Sequence, residues 1–130
     1  GLKILCVDNE RSIIEAMEGL LSHWGCDVRS ALSLKQIDRE RLLEGWYPDL
    51  VLMDYHLDQT SGLDAIEWLR HNLGGHLPAA LVTADRSPAV RALAEERGIA
   101  VVTKPVKPAA LRAAISGLAN QGRGPALRIG

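Results

Sequence analysis

The chain has 130 residues, enough for one globular domain of ordinary size and too few for two. Hydrophobic residues make up 47% and charged residues 24% of the sequence, a composition typical of a packed domain that excludes intrinsic disorder. The formal net charge of −1 provides no basic surface for nucleic acid, and no apolar run approaches the roughly 20 residues of a membrane-spanning helix. We therefore expect a globular domain with no nucleic-acid partner and no direct membrane contact.

Short apolar segments alternate along the chain with segments of helical periodicity. The pattern predicts five strands, over residues 3–7, 27–31, 50–53, 79–83 and 101–103. Between and after them, apolar residues spaced three or four positions apart predict five helices. The apolar positions of the first two are Ile13, Met17, Leu20, Leu21 and Trp24, then Leu34, Ile37, Leu42 and Leu43. Those of the third and fifth are Leu63, Ile66, Leu69 and Leu73, then Leu111, Ile115 and Leu118.

Capping residues mark several helix ends. Ser33 and Ser87 are predicted N-caps, and Pro88 occupies the first helical position, where proline is favoured. Gly25 and Gly98 are predicted to end the first and fourth helices, because glycine adopts the backbone conformation that commonly terminates a helix. These signals place the fourth helix between Ser87 and Gly98.

Five strand–helix units predict a doubly wound α/β fold around a five-stranded parallel sheet. Nearly continuous apolar strands are typical of parallel sheets covered on both faces, and each crossover places a helix on one of these faces. Ligands of such folds bind beyond the carboxyl ends of the strands. The residues that follow the strands are therefore the candidates for chemistry.

Polar side chains stand at four of these strand ends: Asp8, Asn9 and Glu10 after the first strand, Asp54 after the third, Thr83 at the end of the fourth, and Lys104 after the fifth. Carboxylate and amide oxygens are ligands that Mg²⁺ prefers. With its charge cancelled by the cation, a carboxylate can attack phosphorus and form an aspartyl phosphate. An ammonium and a hydroxyl would bind the phosphoryl oxygens, so phosphate is the implied ligand.

Four segments resemble the receiver domain of two-component response regulators: Val7 to Glu10, Leu52 to Asp58 with Gly62 following, Leu81 to Asp85, and Lys104-Pro105. The resemblance extends from Lys3 to about Leu118. It implies a flavodoxin-like fold with strand order 2-1-3-4-5. We expect a receiver domain over residues 1–119 and a flexible glycine-rich tail over residues 120–130.

The resemblance also implies a role for each site residue. Asp54 is the expected phosphoacceptor, and Asp8 and the backbone carbonyl of His56 are expected to hold Mg²⁺ together with it. Thr83 is the expected switch hydroxyl, and Lys104 the cation that binds the phosphoryl group. The Lys104-Pro105 peptide bond is expected to be cis.

Three features depart from the family pattern. Asn9 occupies a position where the family usually has a second acid that binds the metal directly, so this ligand carries no charge. Val101 stands where an aromatic switch residue is common. Leu57-Asp58 replaces a common Met-Pro pair, which leaves the loop more dependent on Gly62.

The resemblance implies that a histidine kinase or a histidine phosphotransfer domain donates the phosphoryl group, and that the domain is not a stand-alone enzyme. The chain begins without methionine, which suggests a fragment, and it is most similar to receivers at the carboxyl end of hybrid sensor kinases. Ile13 and Ile14 on the first helix are the expected contacts for the donor helix.

A cytoplasmic location is expected from the resemblance and from the cysteines. Cys6 and Cys26 match no zinc spacing and no short disulfide framework. Both are therefore expected to be buried thiols in a reducing compartment.

Three alternative functions compete with the interpretation of the chain as a phosphoacceptor. A receiver-like interaction module that is not phosphorylated is favoured by Asn9 and Val101. A phosphatase of the haloacid dehalogenase type needs a second aspartate two residues after the nucleophile, where this chain has His56. A flavin or dinucleotide module needs a phosphate-binding loop after the first strand, where the acidic residues Asp8 and Glu10 would repel phosphate.

Overall fold

Five strands and five helices alternate in the computed structural model, which describes the backbone of residues 1–129 and the side chains of residues 1–121. The strands are β1 (Lys3–Val7), β2 (Asp27–Ala31), β3 (Leu50–Asp54), β4 (Ala79–Thr83) and β5 (Ala100–Thr103). The helices are α1 (Arg11–His23), α2 (Leu34–Arg39), α3 (Gly62–Leu73), α4 (Pro88–Glu96) and α5 (Pro108–Ile129). Every predicted strand and helix is present.

The strands form one parallel sheet in the order β2-β1-β3-β4-β5. The predicted doubly wound fold and its strand order are therefore confirmed. The direction of winding reverses between β1 and β3, the point at which sheets of this kind open a crevice beyond the strand ends. The fold places the candidate site at this crevice.

The side chains of β3 alternate between two cores, because successive residues of a strand point to opposite faces. Val51 and Met53 pack with residues of α2, α3 and α4. Leu50 and Leu52 pack with residues of α1 and α5. All four side chains are fully buried, which explains why the strand is apolar at every one of these positions.

Helix α1 buries the residues Ile14, Met17 and Leu21 against the sheet. The prediction that Ile14 contacts a partner is wrong, because its side chain is 6% exposed and belongs to the core. Ile13 is only partly buried and remains a candidate contact.

Helix α2 is shorter than its apolar pattern predicts, since Leu42 and Leu43 lie in the following loop. Arg41 adopts a φ of 52°, and the Leu42 N–H donates to the Ile37 carbonyl (3.1 Å), which closes the helix with a left-handed turn. The guanidinium of Arg29 on β2 then donates to the Leu42 carbonyl (2.6 Å). A contact from a neighbouring strand thus stabilises the loop where periodicity alone predicts helix.

The predicted caps are confirmed. The Ser33 hydroxyl accepts from the Gln36 N–H (3.1 Å), and the Ser87 hydroxyl accepts from the Val90 N–H (3.3 Å). Pro88 occupies the first turn of α4.

The two cysteines differ in burial. Cys6 is buried as predicted, whereas Cys26 is half-buried, which corrects that part of the expectation. Burial raises the pKa of the Cys6 thiol, and the nearby Glu18 carboxylate raises it further. Neither cysteine is in a disulfide.

The backbone of α5 continues to Ile129, within the segment 120–130 that the sequence predicts as a tail. The side chains of residues 122–130 lie outside the described part of the chain, so the boundary at residue 119 stays a prediction. Among the described helices, none combines the length and the apolar character that crossing a membrane requires.

Gly62 lies where α3 begins close behind the end of β3. Its N–H donates to the Tyr55 carbonyl (2.7 Å), and a Cβ here would collide with the Asp54 carbonyl oxygen and lie 2.8 Å from the Tyr55 Cα. We expect Gly62→Ala to lower the free energy of unfolding by about 1–3 kcal/mol, because neighbouring backbone must move. Urea unfolding followed by circular dichroism measures the loss.

Gly19, within α1, is the matched control, because a Cβ there meets no atom within 4 Å. Gly19→Ala is expected to raise the free energy of unfolding by about 0.5–1 kcal/mol, since alanine favours a helix interior. Equal stability of the two variants would contradict the close packing assigned to Gly62.

Candidate functional site

The carboxyl ends of four strands bring the predicted site residues to one edge of the sheet. Asp8 follows β1, Asp54 ends β3, Thr83 ends β4 and Lys104 follows β5. The first three are 0%, 4% and 1% exposed. Charged carboxylates are rarely buried without a partner, so this edge of the sheet must hold groups that compensate their charge.

Asp8 is held in place by backbone groups. Its N–H donates to the Ala31 carbonyl (3.1 Å), and its Oδ1 accepts from the Glu10 N–H (2.9 Å). The second oxygen, Oδ2, is buried as well, and no backbone or neutral side-chain group within the described residues donates to it. Its charged neighbour is the Lys104 Nζ, at 3.0 Å in an ion pair.

The ammonium of Lys104 is the centre of the site. Besides Asp8, its Nζ contacts Asp54 Oδ1 (3.5 Å) and Glu10 Oε1 (3.6 Å), and its side chain is only 13% exposed. Burial alone would lower the pKa of Lys104, but the three carboxylates outweigh burial and raise it. Lys104 therefore stays charged among three acids.

The carboxyl of Asp54 is less well compensated. Burial raises the pKa of Asp54, the nearby Asp8 carboxylate raises it further, and Lys104 and the His56 N–H offset these effects only in part. The His56 N–H donates to Asp54 Oδ1 at 3.4 Å. Asp54 is thus a buried carboxylate beside a second acid, at the position predicted for the phosphoacceptor.

Thr83 presents its hydroxyl at the end of β4. Its Oγ1 accepts from the Asp85 N–H (3.0 Å), and this contact leaves the hydroxyl proton for another acceptor. The Thr83 carbonyl accepts from the Lys104 N–H (2.8 Å), which ties the two predicted phosphate-binding residues together. The Lys104-Pro105 bond is cis, as the resemblance implies.

Two polar pairs lie at the rim of the site. The Asn9 Nδ2 donates to Asp58 Oδ1 (3.0 Å). The imidazole Nε2 of His56 lies 3.9 Å from Asp85 Oδ2. Both pairs join loops that follow different strands.

Sequence reasoning missed two of these contacts. The sequence places Glu10 at a strand end but does not predict its approach to Lys104. It identifies Asp58 as a departure from the family pattern in the loop after β3, and the structure shows that Asp58 contacts Asn9. The available signal was the charge of Asp58, four residues after Asp54 in a loop that the fold directs toward the site.

The donor set fits Mg²⁺. Oxygen ligands come from the buried carboxylates of Asp8 and Asp54 and from the amide of Asn9. Within the described residues no group of three or more His, Cys, Asp or Glu side chains is arranged to hold an ion alone. Mg²⁺ itself binds through one or two carboxylates and keeps water or phosphate as its other ligands. The role of the His56 carbonyl stays a prediction.

Residues 4–116 match the family described as response regulator receiver domain. The chain is also 31% identical over 108 residues to the Regulator of RpoS of Escherichia coli, an alignment that covers 82% of this chain. It covers 31% of that relative, so the chain spans about a third of its length.

Solved structures of receiver domains have the same fold. A response regulator receiver domain protein from Clostridium thermocellum superposes with a TM-score of 0.83 at 25% identity, covering 95% of this chain and 98% of that one. A CheY-like receiver domain protein from Methanospirillum hungatei gives 0.79 at 24% identity, covering 94% and 97%. The chemotaxis protein CheY4 of Vibrio cholerae gives 0.80 at 19% identity, covering 90% and 98%. The strand order, the acids and lysine at the sheet edge and the family match over residues 4–116 agree with one another. The chain belongs to the response regulator receiver domains of two-component signalling.

Proposed function

We propose that this receiver domain accepts a phosphoryl group on Asp54 from a phosphohistidine, in the presence of Mg²⁺. The observation that carries the proposal is the contact of one buried ammonium, Lys104 Nζ, with both Asp8 and Asp54. In the transfer an Asp54 carboxylate oxygen bonds to phosphorus while the phosphorus–nitrogen bond of the donor breaks. The electron pair of that bond stays on the imidazole.

The surrounding residues stabilise the transferred group. Lys104 is placed to neutralise a phosphoryl oxygen, and the Thr83 hydroxyl is placed to donate to another. The bound cation supplies charge neutralisation between the acids and the phosphoryl oxygens. Asp8, Asp54 and Asn9 are the side chains that would hold it.

The donor we propose is a histidine kinase or a histidine phosphotransfer domain, as the family implies. The position at the carboxyl end of a hybrid sensor kinase and the cytoplasmic location stay predictions from the resemblance. The alternative, an interaction module that is not phosphorylated, is separated from the proposal by whether Asp54 takes up phosphate.

Treatment of the domain with acetyl phosphate and Mg²⁺ is expected to add one phosphoryl group to Asp54. Intact-mass spectrometry measures the addition, which should be absent in Asp54→Asn and without the metal. A phosphorylated histidine phosphotransfer protein should label the same residue.

Asp64, an exposed acid in the first turn of α3, provides the matched control. Asp64→Asn removes the same charge as Asp54→Asn and should be labelled like the wild type. Equal labelling of Asp54→Asn would overturn the assignment of the phosphoacceptor, and no labelling of the wild type by either donor would favour the interaction module.

The raised pKa of Asp54 predicts that the metal-free protein is less stable when the Asp54 carboxyl is ionised. Because the folded-state pKa lies above the unfolded one, stability is lost as pH rises through this interval, and the loss persists at neutral pH. Asp54→Asn has no carboxylate to ionise in the buried site, so at pH 7 it should be more stable than the wild type.

Urea unfolding at pH 7 and near pH 4, with and without Mg²⁺, checks this expectation. The advantage of Asp54→Asn should shrink at the lower pH, and Mg²⁺ should stabilise the wild type more than the variant. A variant less stable than the wild type at pH 7 would show that Asp54 is compensated in the folded state.

The His56–Asp85 pair predicts a slow loss of the phosphoryl group. The two side chains approach to 3.9 Å between the loops that flank Asp54 and Thr83, where together they would hinder an attacking water. We expect the double variant His56→Ala, Asp85→Ala to lose phosphate faster by about threefold or more, a barrier change of roughly 0.7 kcal/mol.

The decay of phosphorylated protein, followed by mass spectrometry after removal of the donor, measures this rate. His71→Ala, which removes an exposed histidine of α3, should decay like the wild type. A double variant with the wild-type rate would show that the pair does not shield the site.

A further inference from the structure

The contact between Asn9 and Asp58 joins the two loops from which the acids of the site extend. Asn9 follows Asp8 directly, and Asp58 lies four residues after Asp54. The Asn9 Nδ2 donates to Asp58 Oδ1 at 3.0 Å across 49 residues of sequence. The contact therefore exists only because the fold places the ends of β1 and β3 side by side.

This hydrogen bond determines which end of the Asn9 amide faces Asp58. A carboxylate only accepts hydrogen bonds, and in the amide only the nitrogen donates. The amide nitrogen is consequently committed to Asp58, and the amide oxygen is the end that remains for a cation. An unrestrained amide would present either end.

The same contact places a negatively charged carboxylate next to the uncharged side chain of Asn9. Asp58 has an exposed carboxylate held within hydrogen-bond distance of the Asn9 side chain. Directly before Asn9, the fully buried Asp8 keeps a second carboxylate at this edge, with its Oδ2 3.0 Å from Lys104 Nζ. The polar side chains on the β1 and β3 loops thus combine two acids with an oriented amide.

We propose that Asp58 is a positioning residue for the cation site, acting through Asn9. It orients the amide so that its oxygen faces the cation, and it supplies the charge that a carboxylate at position 9 would carry. Asn9 and Asp58 together therefore replace one acid. The inference rests on the proposed function, because it concerns the cation used in phosphorylation.

Metal binding, measured without phosphorylation, tests the inference. The probe is Mn²⁺, whose free-ion electron paramagnetic resonance signal disappears on binding, with Mg²⁺ as the competitor. Asp58→Asn removes the charge and keeps the shape, whereas Asp58→Ala removes the charge and the acceptor. We expect Asp58→Asn to weaken metal binding by about two- to fivefold and Asp58→Ala to weaken it further, as loss of one exposed charge contact predicts.

Changes at Asn9 separate positioning from a general charge effect. In an Asn9→Ala background, Asp58→Ala should lose less affinity than it does in the wild type, because the amide that it orients is gone. Asn9→Asp should tighten binding, and the double variant Asn9→Asp, Asp58→Asn should bind at least as tightly as the wild type at the same net charge. Asp64→Asn, the charge-matched control on α3, should bind within about twofold of the wild type.

Thermal unfolding of each metal-free variant shows whether it is folded. If the wild type and both Asp58 variants bind Mn²⁺ equally, the inference is overturned and the proposed function stands. The same conclusion follows if Asp58→Ala costs the same factor with and without Asn9. A folded wild type that binds neither Mn²⁺ nor Mg²⁺ overturns the inference and the proposed function together.

Discussion

One ammonium group holds the carboxylates of this domain together at the edge of its sheet. Lys104 Nζ contacts Asp8, Asp54 and Glu10 within 3.6 Å, and the first two acids are almost fully buried. Buried carboxylates at this spacing repel each other and have lost water, so they require a nearby cation. Burial raises the pKa of Asp54, the Asp8 carboxylate raises it further, and Lys104 lowers it. In the function proposed above, Mg²⁺ would supply further positive charge at this edge.

The parallel sheet is what makes this arrangement possible. Its central strands β3 and β4 are buried throughout, and polar side chains stand where the strands end. Asp54 is the last residue of β3, on the same face as Leu52, and it is desolvated at the end of this buried strand. Gly62 allows the next helix to begin directly behind it. Reactivity and stability thus depend on the same few contacts at the end of β3.

Two pairs of polar side chains lie at the rim of the site. Asn9 lacks the charge that the family usually has at its position, and Asp58 lies beside it with a carboxylate. Across the site, His56 and Asp85 approach each other from the loops after β3 and β4. These rim side chains are exposed or half-buried, whereas Asp8 and Asp54 at the centre are buried.

Much of this protein is determined by its sequence alone. The alternation of apolar runs and helical periods predicts all five strands and five helices, because burial on both faces requires apolar residues throughout a strand and on one side of a helix. The strand ends identify Asp8, Asp54, Thr83 and Lys104, since parallel strands end at a common edge. Ser33 and Ser87 act as caps through contacts three residues away, so the local sequence suffices to predict them.

Other features are decided only by the tertiary structure. The early end of α2 is accompanied by a contact from Arg29 on β2 to Leu42, and periodicity carries no information about that contact. Ile14 lies in the core because of how α1 packs on the sheet, and residue spacing alone leaves that rotation open at the rim of an apolar face. The hydrogen bond from Asn9 to Asp58 and the approach of Glu10 to Lys104 join segments 49 and 94 residues apart. Helical period and capping preference are set by near neighbours, whereas the free energy of these contacts depends on groups that only the folded chain brings together.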